Sequence, residues 1–133
     1  MRRKVMVWIY RKSPRFEVLL LKRTKTDKGE WHPITGNVEP HEQVRAAAQR
    51  ETMEEVALDV LPEPLGVTFT YADPKRGRMH ETAFAAAVPA DDDAIELSDE
   101  HSAHEWVTPA EAEKRLSWPE QKKALAALAA RFA

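Results

Sequence analysis

Three glutamates, Glu51, Glu54 and Glu55, are the residues in this 133-residue chain whose spacing points most directly to chemistry. From Gln43 to Leu58 no glycine or proline interrupts, and Ala46, Ala47, Ala48 and Ala57 favour helix. Pro40 stands where such a helix can begin, its missing N–H costing nothing in a first turn. At about 100° per residue the three carboxylates fall within roughly one 100° arc, on the same side as Val44, Ala47, Ala48 and Leu58. An ordinary amphipathic helix does not crowd like charges among small and apolar side chains, because at that spacing they repel. A hard divalent cation resolves the conflict: Mg²⁺ takes oxygen ligands and is held by one or two carboxylates together with substrate phosphates. The competing reading is a solvated acidic face supported by pairs such as Arg50 with Glu54.

The longer pattern decides between them. Gly36, Glu42, Arg50, Glu51, Glu54 and Glu55 fit G-x5-E-x7-R-E-x2-E-E. At average residue usage, six fixed positions match somewhere in a chain of this length with a probability on the order of 10⁻⁵ or less. The stretch resembles the Nudix box, the signature of hydrolases that cleave nucleoside diphosphates linked to another moiety. Two positions depart from it: Thr52 replaces a usual aliphatic residue and Ala57 a usual glycine. Neither supplies or removes a metal ligand, so the departures bear on helix packing. Ile34 to Glu39 together with Glu54 to Val60 is most similar to the dihydroneopterin triphosphate / dATP pyrophosphohydrolase branch, which also lacks the box glycine. Glu100-His101, Trp106 and Ser117-Trp118 fall in a similar tail.

The resemblance implies hydrolysis of a pyrophosphate link by water, with protein groups supplying position and charge neutralisation. It implies Glu54 and Glu55 as principal Mg²⁺ ligands, with Mn²⁺ able to substitute. Glu51 is a further ligand or water-orienting group, and the Gly36 carbonyl an extra oxygen ligand. Arg50 is expected to orient a box glutamate, and Glu42 to hold the loop against the helix. Metal ligation depresses the basicity of the box glutamates, so another carboxylate is needed to take the proton of the water. Glu100 is the candidate, ahead of its neighbour Asp99. Arg23, at a strand exit, is a candidate for the substrate phosphates. Tyr71 would serve substrate if the chain were a dinucleoside polyphosphate hydrolase, the alternative within the family. An alternative from another class is a non-catalytic nucleotide-binding module, against which the intact carboxylates argue. His101 and His104, three apart in an expected loop and strand, do not make a zinc site.

These residues need a scaffold. Lys4 to Tyr10 and Phe16 to Arg23 read as strands, the second buried on both faces through Val18-Leu19-Leu20-Leu21. Thr24 to Pro33 reads as a polar loop in which Trp31 caps the core. Ile34-Thr35-Gly36 leads into the box, and Leu61 to Pro64 breaks the chain with two prolines. Leu65 to Tyr71 and Glu81 to Val88 form a hairpin around Asp73-Pro74 and Gly77. Pro89 to Asp99 reads as an acidic loop in which Asp91, Asp92 and Asp93 are solvated. His104 to Val107 is a short strand, Thr108 and Glu111 make a capping box for a helix from Pro109 to Leu116, and Glu120 to Phe132 is a last helix. This pattern suggests an α/β or α+β protein. The resemblance sharpens it to the Nudix α/β/α sandwich with a mixed sheet, one domain over residues 1–133.

Composition sets outer bounds. Twenty basic against 22 acidic residues leave a net charge of −2, which argues against a nucleic-acid polymer or an anionic membrane as partner. The expected partner is a small nucleotide or pterin triphosphate; no oligomeric state follows. Without cysteine, disulfides and Cys-ligated metal centres are excluded. The basic start MRRKVMVWIYRK is too short in its apolar run for a signal peptide, and a cytoplasmic protein is expected.

Overall fold

The computed structural model describes residues 1–24, 30–89 and 95–133. Asp91, Asp92 and Asp93, read above as a solvated loop, lie outside the described residues.

Among these residues seven strands form one mixed sheet: β1 (Arg2–Arg11), β2 (Glu17–Arg23), β3 (Trp31–His32), β4 (Ile34–Asn37), β5 (Glu63–Asp73), β6 (Gly77–Ala87) and β7 (His101–Val107). The helices are α1 (Val44–Val56), α2 (Pro109–Arg115) and α3 (Pro119–Phe132). β1 lies at the centre. It runs parallel to β6 from Arg2 to Tyr10, while its other edge is shared, with β4 pairing Lys4 to Val7 and β2 pairing only Tyr10 and Arg11. β2 in turn pairs with β3 and, over most of its length, with β7. The sheet therefore splays between the start of β1 and the end of β2, and the two short strands line that opening.

Alternation along β1 builds the two cores. Met6, Trp8 and Tyr10 face one way, with Val18, Leu20, Leu125 and Leu128, under α2 and α3. Val5, Val7 and Ile9 face the other way, with Leu19, Leu21, Ala47, Ala48 and Val56, under α1. Period-2 alternation on a strand covered from both sides gives this division. Val18 to Leu21 are all buried, as the unbroken apolar run implies. The result is the expected sandwich of a mixed sheet between helices. Among the described residues no helix is long and apolar enough to cross a membrane.

Local expectations need several corrections. α1 begins at Val44, not Pro40; the chain first passes a turn in which His41 takes φ +69°. Ile34 to Asn37, which leads into the box, is a strand, and Trp31–His32, inside the stretch read as a polar loop, is another short one. Pro64 lies inside β5, where the pairing with β6 shifts register between Pro64 and Thr68, so the missing N–H is absorbed by an irregularity. His101 is in β7, not in a loop. The capping box at Thr108 forms as read, and Trp31 is half-buried against the core with Arg115 over its ring.

Candidate active site

α1 and β4 meet at the centre of the candidate site. The helix offers Glu51, Glu54 and Glu55 from one face, and β4 lays Gly36 against Glu51. A Cβ on Gly36 would stand 2.1 Å from Glu51 Cδ, so only glycine admits the carboxylate there.

Arg50 ties the stretch together. Its Nε and Nη2 donate to the two oxygens of Glu42 at 2.8 and 2.9 Å. Nη1 donates to Glu51 at 2.9 Å and to Glu54 at 3.2 Å, and Nη2 reaches the Asn37 carbonyl at 3.0 Å. Glu42 also accepts the Glu39 N–H at 3.0 Å, which fixes the loop to the helix. The Arg50 hydrogen bonds hold the Glu42 carboxyl at about 2. Burial pushes Glu51 up to about 6; Arg50 opposes the rise and the charges of Glu54 and Glu55 add to it.

Glu55 faces another set of partners. Its Oε2 lies 2.8 Å from His101 Nδ1 and accepts from Ser98 Oγ at 3.3 Å. Burial pushes its carboxyl up, but His101, Ser98 and the neighbouring Glu100 carboxyl together hold it below the usual range. Glu100 stands in the turn before β7, and its carbonyl accepts the Thr24 N–H at 2.9 Å.

A cleft of about 630 Å³ opens over these groups. Gly36, Arg50, Glu51, Asp99 and Glu100 line one end, and Lys4, Arg23 and Arg76 bring positive charge to it. A second hollow of about 520 Å³ shares Lys4, Arg23, Thr35 and Arg76 and continues to Tyr71, Glu81, Trp118 and Gln121. The splay of the sheet is thus the floor of one continuous groove. Glu54 and Glu55 are not among the residues lining either hollow, and Tyr71 in the second donates to Glu81 at 3.0 Å. Lys4, Arg76, Glu81 and Gln121 were not foreseen. They come from β1, β6 and α3 and the turn after β5, and no local sequence pattern unites them.

Among the described residues no three carboxylate or imidazole side chains are already gathered at metal-holding distance. Arg50 engages Glu51 and Glu54, while His101 and Ser98 draw on Glu55. The donor chemistry nevertheless fits a hard divalent cation, because every group is an oxygen donor and the ionisation of Glu51 is opposed by two neighbouring carboxylates.

Residues 1–128 match the model of the NUDIX domain family. The chain belongs to that family. It is 32% identical over 130 residues to the dihydroneopterin triphosphate diphosphatase of Escherichia coli K12, covering 86% of this Nudix chain and 83% of that enzyme. The structure of the E. coli dihydroneopterin triphosphate pyrophosphohydrolase superposes with a TM-score of 0.82 at 27% identity, over 92% of this chain and 91% of that one. A C. elegans Ap4A hydrolase binary complex superposes with a TM-score of 0.85 at 27% identity, over 98% and 97% of the two chains. An octanoyltransferase of Myxococcus xanthus is 36% identical over 110 residues, which are 79% of this chain; the chain spans 30% of that protein's length. Family membership and the diphosphatase likeness make this Nudix protein a hydrolase.

Proposed function

We propose that this Nudix protein is a Mg²⁺-dependent pyrophosphohydrolase of a nucleoside triphosphate or of a related pterin triphosphate. The observation that carries the reading is the groove itself: carboxylates at one end, Lys4, Arg23 and Arg76 in the middle, and a polar pocket beside an exposed Trp118 at the other. That sequence of surfaces matches a cation site, a phosphate chain and a heterocycle. Tyr71, Glu81 and Gln121 offer hydroxyl, carboxyl and amide groups to the ring, with Trp118 as a stacking surface.

Glu51, Glu54, Glu55 and the Gly36 carbonyl would hold the divalent ion. When bound it neutralises phosphate charge and favours attack at phosphorus. The chain's own groups do the rest. Arg23 meets the phosphate oxygens and Arg50 keeps Glu51 and Glu54 in register. Glu100 accepts a proton from the water as its oxygen bonds to phosphorus and the bridging P–O bond breaks. Balanced charge supports a small-molecule substrate and argues against a nucleic-acid polymer or an anionic membrane as partner.

A second reading, a dinucleoside polyphosphate hydrolase, draws support from the likeness to the Ap4A hydrolase and from Tyr71 in the groove. One panel separates the readings: nucleoside triphosphates, dihydroneopterin triphosphate and dinucleoside polyphosphates, each with Mg²⁺ or Mn²⁺, with phosphate and pyrophosphate release as the readout. Metal-dependent pyrophosphate release from a triphosphate is expected. Preferential cleavage of dinucleoside polyphosphates selects the second reading, and no turnover of any member selects a binding module.

A further inference from the structure

We propose that His101 and His32 are positioning residues for Glu55: a chain of polar contacts running from the Pro33 carbonyl through both imidazoles ends on one oxygen of its carboxylate. The inference rests on the reading of Glu55 as a ligand of a divalent cation.

The chain of groups fixes its own direction. His32 Nδ1 lies 2.5 Å from the Pro33 carbonyl oxygen, which can only accept, so Nδ1 carries the hydrogen. Burial, reinforced by the nearby Arg23 charge, holds His32 down to about 3, so its ring is neutral and its Nε2 is bare. That bare nitrogen stands 3.0 Å from His101 Nε2, which must therefore be the donor. The other nitrogen of His101, Nδ1, is 2.8 Å from Glu55 Oε2, although not aligned for an ideal hydrogen bond. The Ser98 hydroxyl donates to the same oxygen. Both partners thus lie on Oε2, leaving Oε1 for a cation.

The surroundings make this arrangement rigid. Both imidazoles are buried, His32 4% and His101 7% exposed. The Ser98 N–H donates to the Glu55 carbonyl and the Glu96 N–H to the Val56 carbonyl, each at 3.1 Å, which ties the last turn of α1 to the segment entering β7. Groups that orient a ligand in this way typically change metal affinity or activity by about 10–100-fold when lost.

The test uses the full chain, prepared metal-free, with Mn²⁺ alone as the probe. Mn²⁺ affinity is read by electron paramagnetic resonance in the wild type, His101→Leu and His101→Asn. Leucine removes the polar contact, so affinity should fall by about 10–100-fold; asparagine places an amide nitrogen near the former Nδ1 and should stay close to wild type. A merely structural role lowers the melting temperature of both variants without separating their Mn²⁺ affinities, and that result overturns the inference. Wild-type protein that takes up no Mn²⁺ overturns the metal reading and this inference together. Wild-type uptake with an unweakened His101→Leu variant overturns the inference alone. If His101→Leu does not fold, imidazole ¹⁵N NMR of the metal-free wild type decides. Hydrogen on His32 Nδ1 and on His101 Nε2 supports the chain, and either nitrogen bare refutes it.

Discussion

Glu51 and Glu55 are one helical turn apart, yet their surroundings drive them in opposite directions. Burial raises Glu51 to about 6, whereas hydrogen bonding to His101 and its neighbours outweighs burial at Glu55. The sign for Glu51 follows from linkage. The unfolded chain releases this proton near the ordinary 4.5 while the folded chain keeps it to about 6, so the folded state binds more protons between those values. The contribution is present below 4.5 and is lost as pH rises through 6. Metal-free wild type should lose melting temperature across this window relative to Glu51→Gln; parallel curves for the two proteins would place the ionisation elsewhere. Activity asks a different question of the same residues. Glu54→Gln or Glu55→Gln keeps shape and removes a charged oxygen, so turnover should fall by roughly 10³ or more at saturating Mg²⁺. Glu100→Gln should lower kcat by about 10²–10⁴-fold with KM nearly unchanged and little rescue by added Mg²⁺. If Asp99→Asn is the crippled variant instead, the proton acceptor is one residue away.

The elements explain the departures of the box from its usual pattern. Thr52 is fully buried and donates its hydroxyl to the Ala48 carbonyl at 2.8 Å, so a polar residue fits an apolar slot by bonding its own helix. Ala57 closes α1 at φ +59° and ψ +32°, a left-handed cap that costs a non-glycine residue about 1–2 kcal/mol. Ala57→Gly should therefore stabilise the fold by a few tenths to about 1 kcal/mol, after the greater freedom of glycine in the unfolded chain is subtracted. Equilibrium denaturation measures this, and a loss of stability would show that Ala57 makes contacts that outweigh its backbone strain. The sequence carried this signal, since the box glycine is missing at that position. Other elements were less legible. Ile34 to Asn37 contains glycine and asparagine, poor strand formers, and becomes a strand because the edge of β1 left uncovered by β2 needs partners. His32 and His101 are 69 residues apart, so no local spacing announces their contact. The acidic helix face, the apolar run of β2 and the Thr108 capping box were readable because each is written within a few residues.

At the scale of the whole molecule, the groove is assembled from parts distant in sequence, which is why single motifs found only its acidic end. Arg23 closes β2, Lys4 opens β1, Arg76 sits in the turn between β5 and β6, and Gln121 begins α3. What they share is the splay of the sheet around β1. That strand has neighbours on both edges, helices over both faces, and Val5 to Tyr10 fully or nearly fully buried. Its amide hydrogens can meet solvent only when the entire fold opens, so their exchange with deuterium reports global rather than local stability. A ligand that binds only the folded state slows that opening by the factor 1 + [L]/Kd. Adding Mg²⁺ with a slowly hydrolysed triphosphate analogue should thus retard exchange in the middle of β1 about as strongly as in residues touching the ligand. Protection confined to the groove, with β1 unchanged, would mean that the sheet around β1 opens without releasing its substrate.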